Sequence, residues 1–355
     1  MKEPTKILHV VNLKSFGGIQ KLVVELVEEM NTNANFVSHI LSTQGADILK
    51  SSLPNDIKII ELPKTNPLKN VFRIAKLMNS YDVIHFHGPY TLFQIAALFS
   101  KSKIVYTEHG TLQSANINSS AKHLIQKKIV GLNFIKYRAN AVIFVSNWLK
   151  NNLNLKNPNC SVIFNGLKYQ EPKITKLDDV VITIAARIIS KKRVDIAIEV
   201  MQLLSTHKNI KLQIIGNGPE LERLKIKSNK LLDESVFFLD YRSDAYDLIA
   251  SSDFYLMTTD KEPFGLVILE AMMNETIVLA LDDSGGPVEV LGEKFPELIG
   301  TTANDLAEMI LKLSSNNTLY NQIGVGLKSE YFKNYTMKVM ANNYKEVYLK
   351  SITDD

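Results

Sequence analysis

Several kinds of residue and segment are scarce in this sequence, and each scarcity excludes a class of protein. Of its 355 residues only Cys160 is a cysteine, which excludes an intrachain disulfide framework and a cysteine-based zinc cluster. No apolar run approaches the length of a membrane span, and the first one, residues 7–11, is far too short for the core of a signal peptide. We therefore expect a soluble, cytoplasmic protein.

Compositional bias is also missing. The chain is 45% hydrophobic and 22% charged, with 16 glycines and 11 prolines, which lies within the globular range and outside the disordered and collagen-like ranges. Because a single hydrophobic core seldom grows past roughly 250 to 300 residues, the length predicts two domains.

Acidic residues are absent between Glu108 and Glu171, and the two halves of the chain differ in sign. Residues 1–170 carry 20 Lys and Arg against 9 Asp and Glu, whereas the remainder carries 21 against 28. A basic first half should attract an anionic partner. Neither zinc-finger spacing nor an RNA-recognition aromatic signature is present, so we expect no nucleic acid partner, and an anionic membrane surface fits better.

What the sequence does contain is a regular alternation of short Ile- and Val-rich runs with longer amphipathic stretches. This pattern is typical of parallel sheets covered by helices on both faces. The predicted strands are residues 7–11, 37–41, 57–62, 83–86, 104–107, 141–145, 161–164, 180–185, 211–215, 236–239, 254–257 and 276–280. The predicted helices are residues 22–30, 71–78, 92–99, 123–137, 194–205, 219–231, 265–273, 303–314 and 337–349.

The pattern pauses once, at a polar stretch around Pro172, and then restarts. It predicts an α/β fold with a first domain over residues 1–165, a linker over 166–179 and a second domain over 180–334. Ligands of such doubly wound units bind at the carboxyl ends of the strands, which predicts a cleft between two facing domains.

Three sets of residues in the first half could carry chemistry. Gly17 and Gly18 follow the first strand and open a helix, where they could let a phosphate or sugar approach the backbone, or could form a simple tight turn. His85 and His87 share one face of a strand, which suits a metal pair, although packing and hydrogen bonding are commoner roles for such a pair. His109 stands at a strand's carboxyl end before Gly110, which aims it at the expected cleft.

A basic turn opens the second domain. Arg187 follows its first strand, and Lys191, Lys192 and Arg193 come just before the next helix. Cations at this position, next to a positive helix end, could hold a diphosphate without a metal; the alternative is a solvated turn.

Two carboxylates frame a later apolar segment. Glu262 precedes Pro263, Phe264 and Gly265, and Glu270 lies along the apolar helix that follows. A carboxylate on a buried helix needs hydrogen-bond donors, and sugar hydroxyls are such donors.

In their order and spacing, these segments resemble the retaining glycosyltransferases of family 4, also described as glycosyl transferases group 1. Their fold is the GT-B architecture, two Rossmann-like doubly wound parallel-sheet domains facing a cleft. The resemblance covers nearly the whole chain: GG at 17–18, TEHG at 107–110, NG at 165–166, ARIISKKRVD at 186–195, GNGP at 216–219, EPFGLVILEAM at 262–272 and GGPVE at 285–289.

The resemblance implies catalytic roles. Arg187 and Lys192 match the residues that bind the diphosphate and stabilise the leaving nucleotide in place of a divalent metal, so no metal and no cofactor are expected. Glu262 matches the glutamate near the hydroxyls of the donor sugar. His109 matches a histidine that touches the donor sugar and helps place the acceptor.

It also implies donor-binding roles. Glu270 matches the glutamate that binds the ribose, and the amides of Phe264 and Gly265 match groups that approach the sugar and phosphates. Gly17 and Gly18 match a loop that closes over the reacting centre. A final helix over about 335–355 is implied to cross back to the first, acceptor-binding domain. The sequence departs from the family at Arg193, where glycine is usual.

A retaining transfer could use two displacements through an enzyme carboxylate or a front-face attack by the acceptor. We favour the front-face route, which the resemblance implies, because none of the matched carboxylates is an evident nucleophile. The expected function is transfer of a hexose or N-acetylhexosamine from a nucleotide sugar, most simply a UDP-sugar, to a glycan or lipid-linked glycan during synthesis of capsule, lipopolysaccharide or another surface polysaccharide. The alternatives are an inactive nucleotide-sugar-binding subunit of a glycosylation complex and a sugar-nucleotide epimerase, which shares the two-domain architecture.

Residues 123–138 combine apolar side chains with four basic ones. A basic amphipathic helix on the acceptor domain is typical of a peripheral membrane protein, which would place the chain on the inner face of the plasma membrane. The alternative is a core helix with a solvated basic face.

Overall fold

The computed structural model describes residues 3–14, 17–44, 57–62, 67–110, 131–153, 155, 157–228 and 234–353. The chain divides into two compact units. Unit 1 comprises Met1–Lys168 together with Met337–Asp355, and unit 2 comprises Tyr169–Thr336.

Unit 1 contains a parallel sheet of seven strands in the order β3-β2-β1-β4-β5-β6-β7. The strands are β1 (Thr5–Val11), β2 (Phe36–Ser42), β3 (Ile59–Glu61), β4 (Val83–Phe86), β5 (Lys103–Glu108), β6 (Ala141–Phe144) and β7 (Cys160–Val162). The helices described between them are α1 (Gly18–Asn31), α2 (Pro67–Met78), α3 (Thr91–Ala97), α4 (Leu132–Tyr137) and α5 (Asn147–Leu153). The strand order reverses between β1 and β4, which is where doubly wound sheets hold their ligands.

The last helix of the chain, α13 (Met337–Thr353), belongs to unit 1. Its start is fixed by a hydrogen bond from the Met337 amide to the Leu167 carbonyl at 2.8 Å. Tyr344 and Tyr348 are fully buried, and their hydroxyls reach Thr107 on β5 and His85 on β4. This helix therefore covers the middle of the first sheet.

Unit 2 repeats the design with six parallel strands in the order β10-β9-β8-β11-β12-β13. The strands are β8 (Val180–Ala185), β9 (Ile210–Ile215), β10 (Val236–Phe238), β11 (Phe254–Met257), β12 (Ile277–Leu281) and β13 (Ile299–Gly300). The helices are α6 (Val194–Leu203), α7 (Leu221–Ser228), α8 (Ala245–Ser251), α9 (Leu266–Met272), α10 (Gly286–Leu291), α11 (Ala303–Ser314) and α12 (Asn317–Asn334). The switch in order falls between β8 and β11.

Burial explains why the central strands could be recognised. Every residue of β4, β6, β11 and β12 is buried, as expected of strands with helices on both faces. The predicted fold class, two doubly wound parallel-sheet α/β domains, is confirmed by these two sheets.

Four of the described helices escaped prediction: α5, α8, α10 and α12. α12 carries Gly324 and Gly326 and shows almost no apolar periodicity, and α5 contains three asparagines, which are weak helix formers. The predicted helix over 123–137 is observed only as α4, because residues 123–130 lie outside the described part of the chain. No described helix is long and apolar enough to cross a membrane.

Candidate functional site

The segment that carries Arg187 leaves the end of β8 and is backed by the loop after β9. The Ala186 amide donates to the Ile215 carbonyl, and the Ile188 amide to the Asn217 carbonyl, both at 2.9 Å. Gly216 has φ 134°, and a Cβ there would lie 1.9 Å from the Ala186 carbonyl oxygen, so only glycine allows this approach. Within the described residues the exposed Arg187 guanidinium forms no hydrogen bond or ion pair, which leaves it available to an anion.

Lys192 and Glu262 form an ion pair beside this strand end. Lys192 Nζ donates to Glu262 Oε2 at 2.8 Å, and the two side chains are 24% and 19% exposed. The two residues follow β8 and β11, which are neighbours in the sheet. Parallel strand order thus unites residues that are 70 positions apart in the sequence.

The backbone of Glu262 is clamped by the glycine-rich turn after β12. Its amide donates to the Ser284 carbonyl and its carbonyl accepts from the Gly286 amide, both at 2.8 Å. A Cβ at Gly286 would lie 2.3 Å from the Pro263 carbonyl oxygen, so a larger residue would push this turn away. The turn formed by the GGPVE segment at 285–289 therefore fixes the position of Glu262.

Arg193, where glycine is usual in the family, adopts the left-handed φ of 45° that glycine would take without strain. Its Nη1 donates to Asp283 Oδ2 at 2.7 Å, and its Nε donates to the Thr258 carbonyl at 2.6 Å. Hydrogen bonding from the Arg193 guanidinium holds the pKa of Asp283 below its ordinary value. Arginine in place of the family's glycine thus keeps the left-handed turn and adds hydrogen bonds to Asp283 and Thr258.

The other predicted residues of unit 2 line the start of α9. Gly265 caps the helix with φ 80°, and a Cβ there would lie 3.4 Å from Glu262 Cγ. The Phe264 side chain is buried against the ring of Tyr335, so only its backbone can face a ligand. Glu270 lies on α9 and is partly buried, with its carbonyl bound by Asn274. Lys192, Glu262 and Gly265 are thus brought together.

In unit 1, Gly17 and Gly18 open α1 directly after β1. Gln20 Nε2 donates back to the Asn12 carbonyl at 3.0 Å, and the Asn12 amide donates to the Tyr90 hydroxyl at 3.1 Å. The turn is therefore tied to the residues after β4, at the carboxyl edge of the sheet.

His109, at the end of β5, is the last ring of a chain of three histidines. His9 Nδ1 lies 3.0 Å from His87 Nε2, and His87 Nδ1 lies 3.2 Å from His109 Nε2. Burial lowers the pKa of His9 to about 3 and that of His109 to about 4. Burial also lowers the pKa of His87 well below its ordinary value. All three rings are therefore neutral at physiological pH.

His85 lies beside this chain with both ring nitrogens engaged. Its Nδ1 lies 2.7 Å from the Tyr348 hydroxyl and its Nε2 lies 2.7 Å from Thr107 Oγ1. Ligand nitrogens of His9, His85 and His87 lie within 4.8 Å of one another. A metal ion there would need to break these hydrogen bonds, so hydrogen bonding accounts for the pair better than metal binding.

Sequence reasoning did not single out His9. It stands in a strand that is otherwise apolar between Ile7 and Val11, and it is paired in register with His85 on β4. A lone histidine inside a buried strand was the available signal, since such a residue needs a polar partner.

Comparison with known families gives two adjoining matches. Residues 168–328 match the family model described as Glycosyl transferases group 1, and residues 16–171 match the one described as Glycosyltransferase Family 4. The two matches meet without a gap and together span residues 16–328.

Individual relatives agree with these matches. Over 167 residues the chain is 26% identical to N-acetyl-alpha-D-glucosaminyl L-malate synthase of Bacillus anthracis, covering 46% of this chain and 44% of that protein. The chain thus matches less than half the length of that relative. It is 22% identical over 292 residues to an O-antigen biosynthesis glycosyltransferase of Escherichia coli, covering 75% of this chain and 77% of that protein.

Among solved structures, the chain is similar to Anabaena HepE, crystallised in complex with UDP. The TM-score is 0.80 at 19% identity, covering 98% of this chain and 100% of that chain. The likeness extends over both units and confirms the predicted GT-B architecture.

Proposed function

Because this chain belongs to the GT-B glycosyltransferases, with a family 4 domain followed by a group 1 domain, we propose that it moves a hexose or N-acetylhexosamine from a UDP-sugar to a glycan or lipid-linked glycan. The product belongs to a surface polysaccharide such as capsule or lipopolysaccharide. A relative that acts in O-antigen biosynthesis and a structural neighbour solved with UDP support this choice of pathway and nucleotide.

The observation that carries the proposal is the arrangement of charges at the carboxyl ends of β8 and β11. Arg187 presents an exposed guanidinium, and Lys192 presents an ammonium group whose only described side-chain partner is Glu262. Two cations that follow the same strand suit a diphosphate, because they can neutralise its negative charge. The Glu262 carboxylate, which pairs with Lys192, can accept a hydrogen bond from a hydroxyl of the donor sugar.

In the proposed reaction the acceptor oxygen attacks the anomeric carbon on the face from which the nucleotide leaves. The bond from that carbon to the β-phosphate oxygen breaks, and the departing oxygen takes the acceptor's proton, so the configuration is retained. Arg187 and Lys192 neutralise the charge that develops on the diphosphate, without a metal ion. Glu262 binds hydroxyls of the donor sugar, His109 contacts that sugar, and Glu270 binds the ribose.

A panel of nucleotide sugars tests the proposal. Thermal unfolding in the presence of UDP-glucose, UDP-galactose, UDP-N-acetylglucosamine and GDP-mannose identifies the donor, since a ligand at 100 times its Kd adds about 2.7 kcal/mol to the folded state. Release of UDP with an added acceptor then measures transfer, and NMR of the product gives the anomeric configuration. An α-linked product made in the presence of EDTA is expected.

The other outcomes each replace the proposal with a different function. Binding of a donor without hydrolysis or transfer would make the chain an inactive subunit, and interconversion of two nucleotide sugars would make it an epimerase. Loss of activity with EDTA and recovery with Mn²⁺ would overturn the metal-independent mechanism.

We also propose that unit 1 docks on an anionic membrane, where a lipid-linked acceptor resides. Exposed apolar side chains lie on α2 and directly after the end of α3: Phe72 is 66% exposed, Leu98 58% and Phe99 57%. The rings of Phe72 and Phe99 are in contact, with centroids 5.6 Å apart. We call these three residues the two-helix patch.

The charged residues close to the two-helix patch in the sequence indicate what kind of surface it binds. Arg73 and Lys76 are exposed on α2, Lys101 is exposed after α3, and Asp82 is the one acidic residue in the sequence between residues 67 and 101. Exposed apolar side chains with basic residues close by in the sequence are the combination that binds anionic lipid surfaces.

Vesicle sedimentation tests this surface. The protein is expected to sediment with phosphatidylglycerol vesicles and much less with phosphatidylcholine vesicles. Phe72→Ser with Phe99→Ser should abolish the difference, whereas Ile226→Ser, which removes an exposed apolar residue from α7, should preserve it. Equal sedimentation with both lipids, or no effect of the double substitution, would overturn the docking proposal.

A further inference from the structure

The three-histidine chain has only two self-consistent proton arrangements. Each neutral imidazole carries one proton, so each ring donates through one nitrogen and accepts through the other. Because His9 Nδ1 meets His87 Nε2, and His87 Nδ1 meets His109 Nε2, the proton position in one ring sets it in the other two.

The far end of the chain decides between the two arrangements. His9 Nε2 is buried, and none of the residues that the structure describes forms a hydrogen bond with it. If His109 donated through Nε2, all three rings would carry their proton on Nε2, and the N–H of His9 would be buried without an acceptor. Buried N–H groups without a partner are rarer than buried acceptors without one. The arrangement with a bare acceptor at His9 is therefore favoured.

We propose that His9 and His87 are positioning residues that hold His109 in the Nδ1–H form, with its Nε2 accepting a hydrogen bond from His87 Nδ1–H. His109 is then a hydrogen-bond donor of fixed direction, and it neither takes nor gives a proton in the reaction. Its Nδ1 has no hydrogen-bond partner among the described residues, so this N–H is available to an oxygen of a ligand.

The inference deepens the role of His109 and rests on the proposed function for its ligand, a hydroxyl of the donor sugar. A donor at this position matches a mechanism in which the leaving phosphate oxygen accepts the acceptor's proton. His109 is a poor base, because burial lowers its pKa to about 4 and its one lone pair accepts the hydrogen bond from His87.

Histidine NMR tests the proton arrangement without reference to activity. In full-length protein labelled with ¹⁵N-histidine, two-bond correlations between ring protons and nitrogens distinguish the two tautomers. His9, His87 and His109 are all expected as Nδ1–H, with signals assigned from single substitutions. Observation of Nε2–H in His109 would overturn the proposal, as would a shift of His9, His85 and His87 signals on adding one equivalent of Zn²⁺.

Two substitutions of similar shape then test the link to His109. In His87→Asn the side-chain amide lies near the former Nδ1 position and can still donate, whereas His87→Leu cannot. His109 should stay Nδ1–H in the asparagine variant and lose that form in the leucine variant. His39→Asn is the matched control, because His39 lies on β2 of the same sheet, bonds the Tyr81 hydroxyl ahead of β4 and is not joined to the three-histidine chain.

Turnover should follow the NMR result. We expect the leucine variant to lose roughly tenfold in kcat, the effect of about one hydrogen bond, and the asparagine variant to stay within about threefold of the parent. Equal loss in both variants, with equal thermal stability, would assign His87 a packing role only. If no sugar transfer is found at all, the tautomers measured by NMR still decide the positioning chain.

Discussion

Asp283 forms hydrogen bonds with Arg193 and Lys261 at the same time. Its carboxylate accepts two hydrogen bonds from the Arg193 guanidinium, and its carbonyl accepts one from the Lys261 amide at 3.1 Å. The residues next to these two, Lys192 and Glu262, form the ion pair of the candidate site. Asp283 therefore aligns the two segments whose charged side chains meet.

Substitution of Arg193 should separate two contributions to stability: the strain of its left-handed backbone and its side-chain hydrogen bonds to Asp283 and Thr258. Arg193→Gly and Arg193→Ala both lose the contacts to Asp283 and Thr258, but only glycine relieves the left-handed φ. We expect the glycine variant to be about 1 kcal/mol more stable than the alanine variant, with the parent at least as stable as either. Urea unfolding of the three proteins measures this order, and an alanine variant as stable as the glycine variant would contradict it.

Removal of either partner of the ion pair should impair turnover far more than folding. Lys192→Ala and Glu262→Ala are each expected to lower kcat by about a hundredfold or more, because each removes a preorganised contact to the donor. Lys191→Ala is the matched control, since Lys191 is exposed and adjacent.

The double variant distinguishes chemistry from charge balance. Lys192→Ala with Glu262→Ala leaves no unpaired charge, so it should be at least as stable as the less stable single variant while remaining inactive. Near-normal turnover in both single variants would remove these residues from the active site.

Gly216 should tolerate no side chain. In Gly216→Ala the new Cβ meets a backbone oxygen that cannot move aside, and we expect a loss of at least about 2 kcal/mol together with weaker donor binding. Gly292→Ala is the control: Gly292 has φ 56° but nothing within 4 Å of a Cβ, so only about 1 kcal/mol of strain is expected. Equal unfolding midpoints for the two variants would show that the close approach is unimportant.

Acid should destabilise unit 1 through its buried histidines. The folded-state pKa is lowered to about 3 for His9 and about 4 for His109, whereas the unfolded chain titrates near 6.5. Between these values the unfolded state binds more protons, so stability is lost as the pH falls below about 6.5. At pH 5 each of the two costs about 2 kcal/mol relative to pH 7.5.

The lone tryptophan reports on this loss, because Trp148 lies on α5 of unit 1. Its fluorescence during urea unfolding at pH 7.5, 6 and 5 should show a falling midpoint, and His9→Leu should flatten the dependence. A midpoint that is constant over this range would mean that the rings titrate in the folded protein as they do in the unfolded chain, which would contradict the lowered pKa values.

The sequence was most informative where packing is simplest. The predicted bounds of β8, β11 and α11 agree with the structure, because each is a buried apolar pattern bounded by polar residues. α12 was missed because helix packing in its case depends on neighbours, such as Glu275 against Gly324, that no local pattern reveals.

The candidate site was only partly predictable for the same reason. The family resemblance pointed to Lys192 and Glu262 separately, but their ion pair depends on the sheet order that places β11 beside β8. The three-histidine chain depends on the register of β1 with β4, which alternation within one strand does not specify. The ion pair and the three-histidine chain both depend on contacts between strands that are distant in the sequence, so local patterns could not predict them.

The membership of α13 in unit 1 has a practical consequence for separating the two units of the protein. A fragment ending at Lys168 would lack the tyrosines that cap His85 and Thr107, and its sheet would meet water where Tyr344 and Tyr348 are now buried. Independent expression of this half therefore calls for a circular permutant or for a chain in which residues 337–353 are rejoined after residue 168.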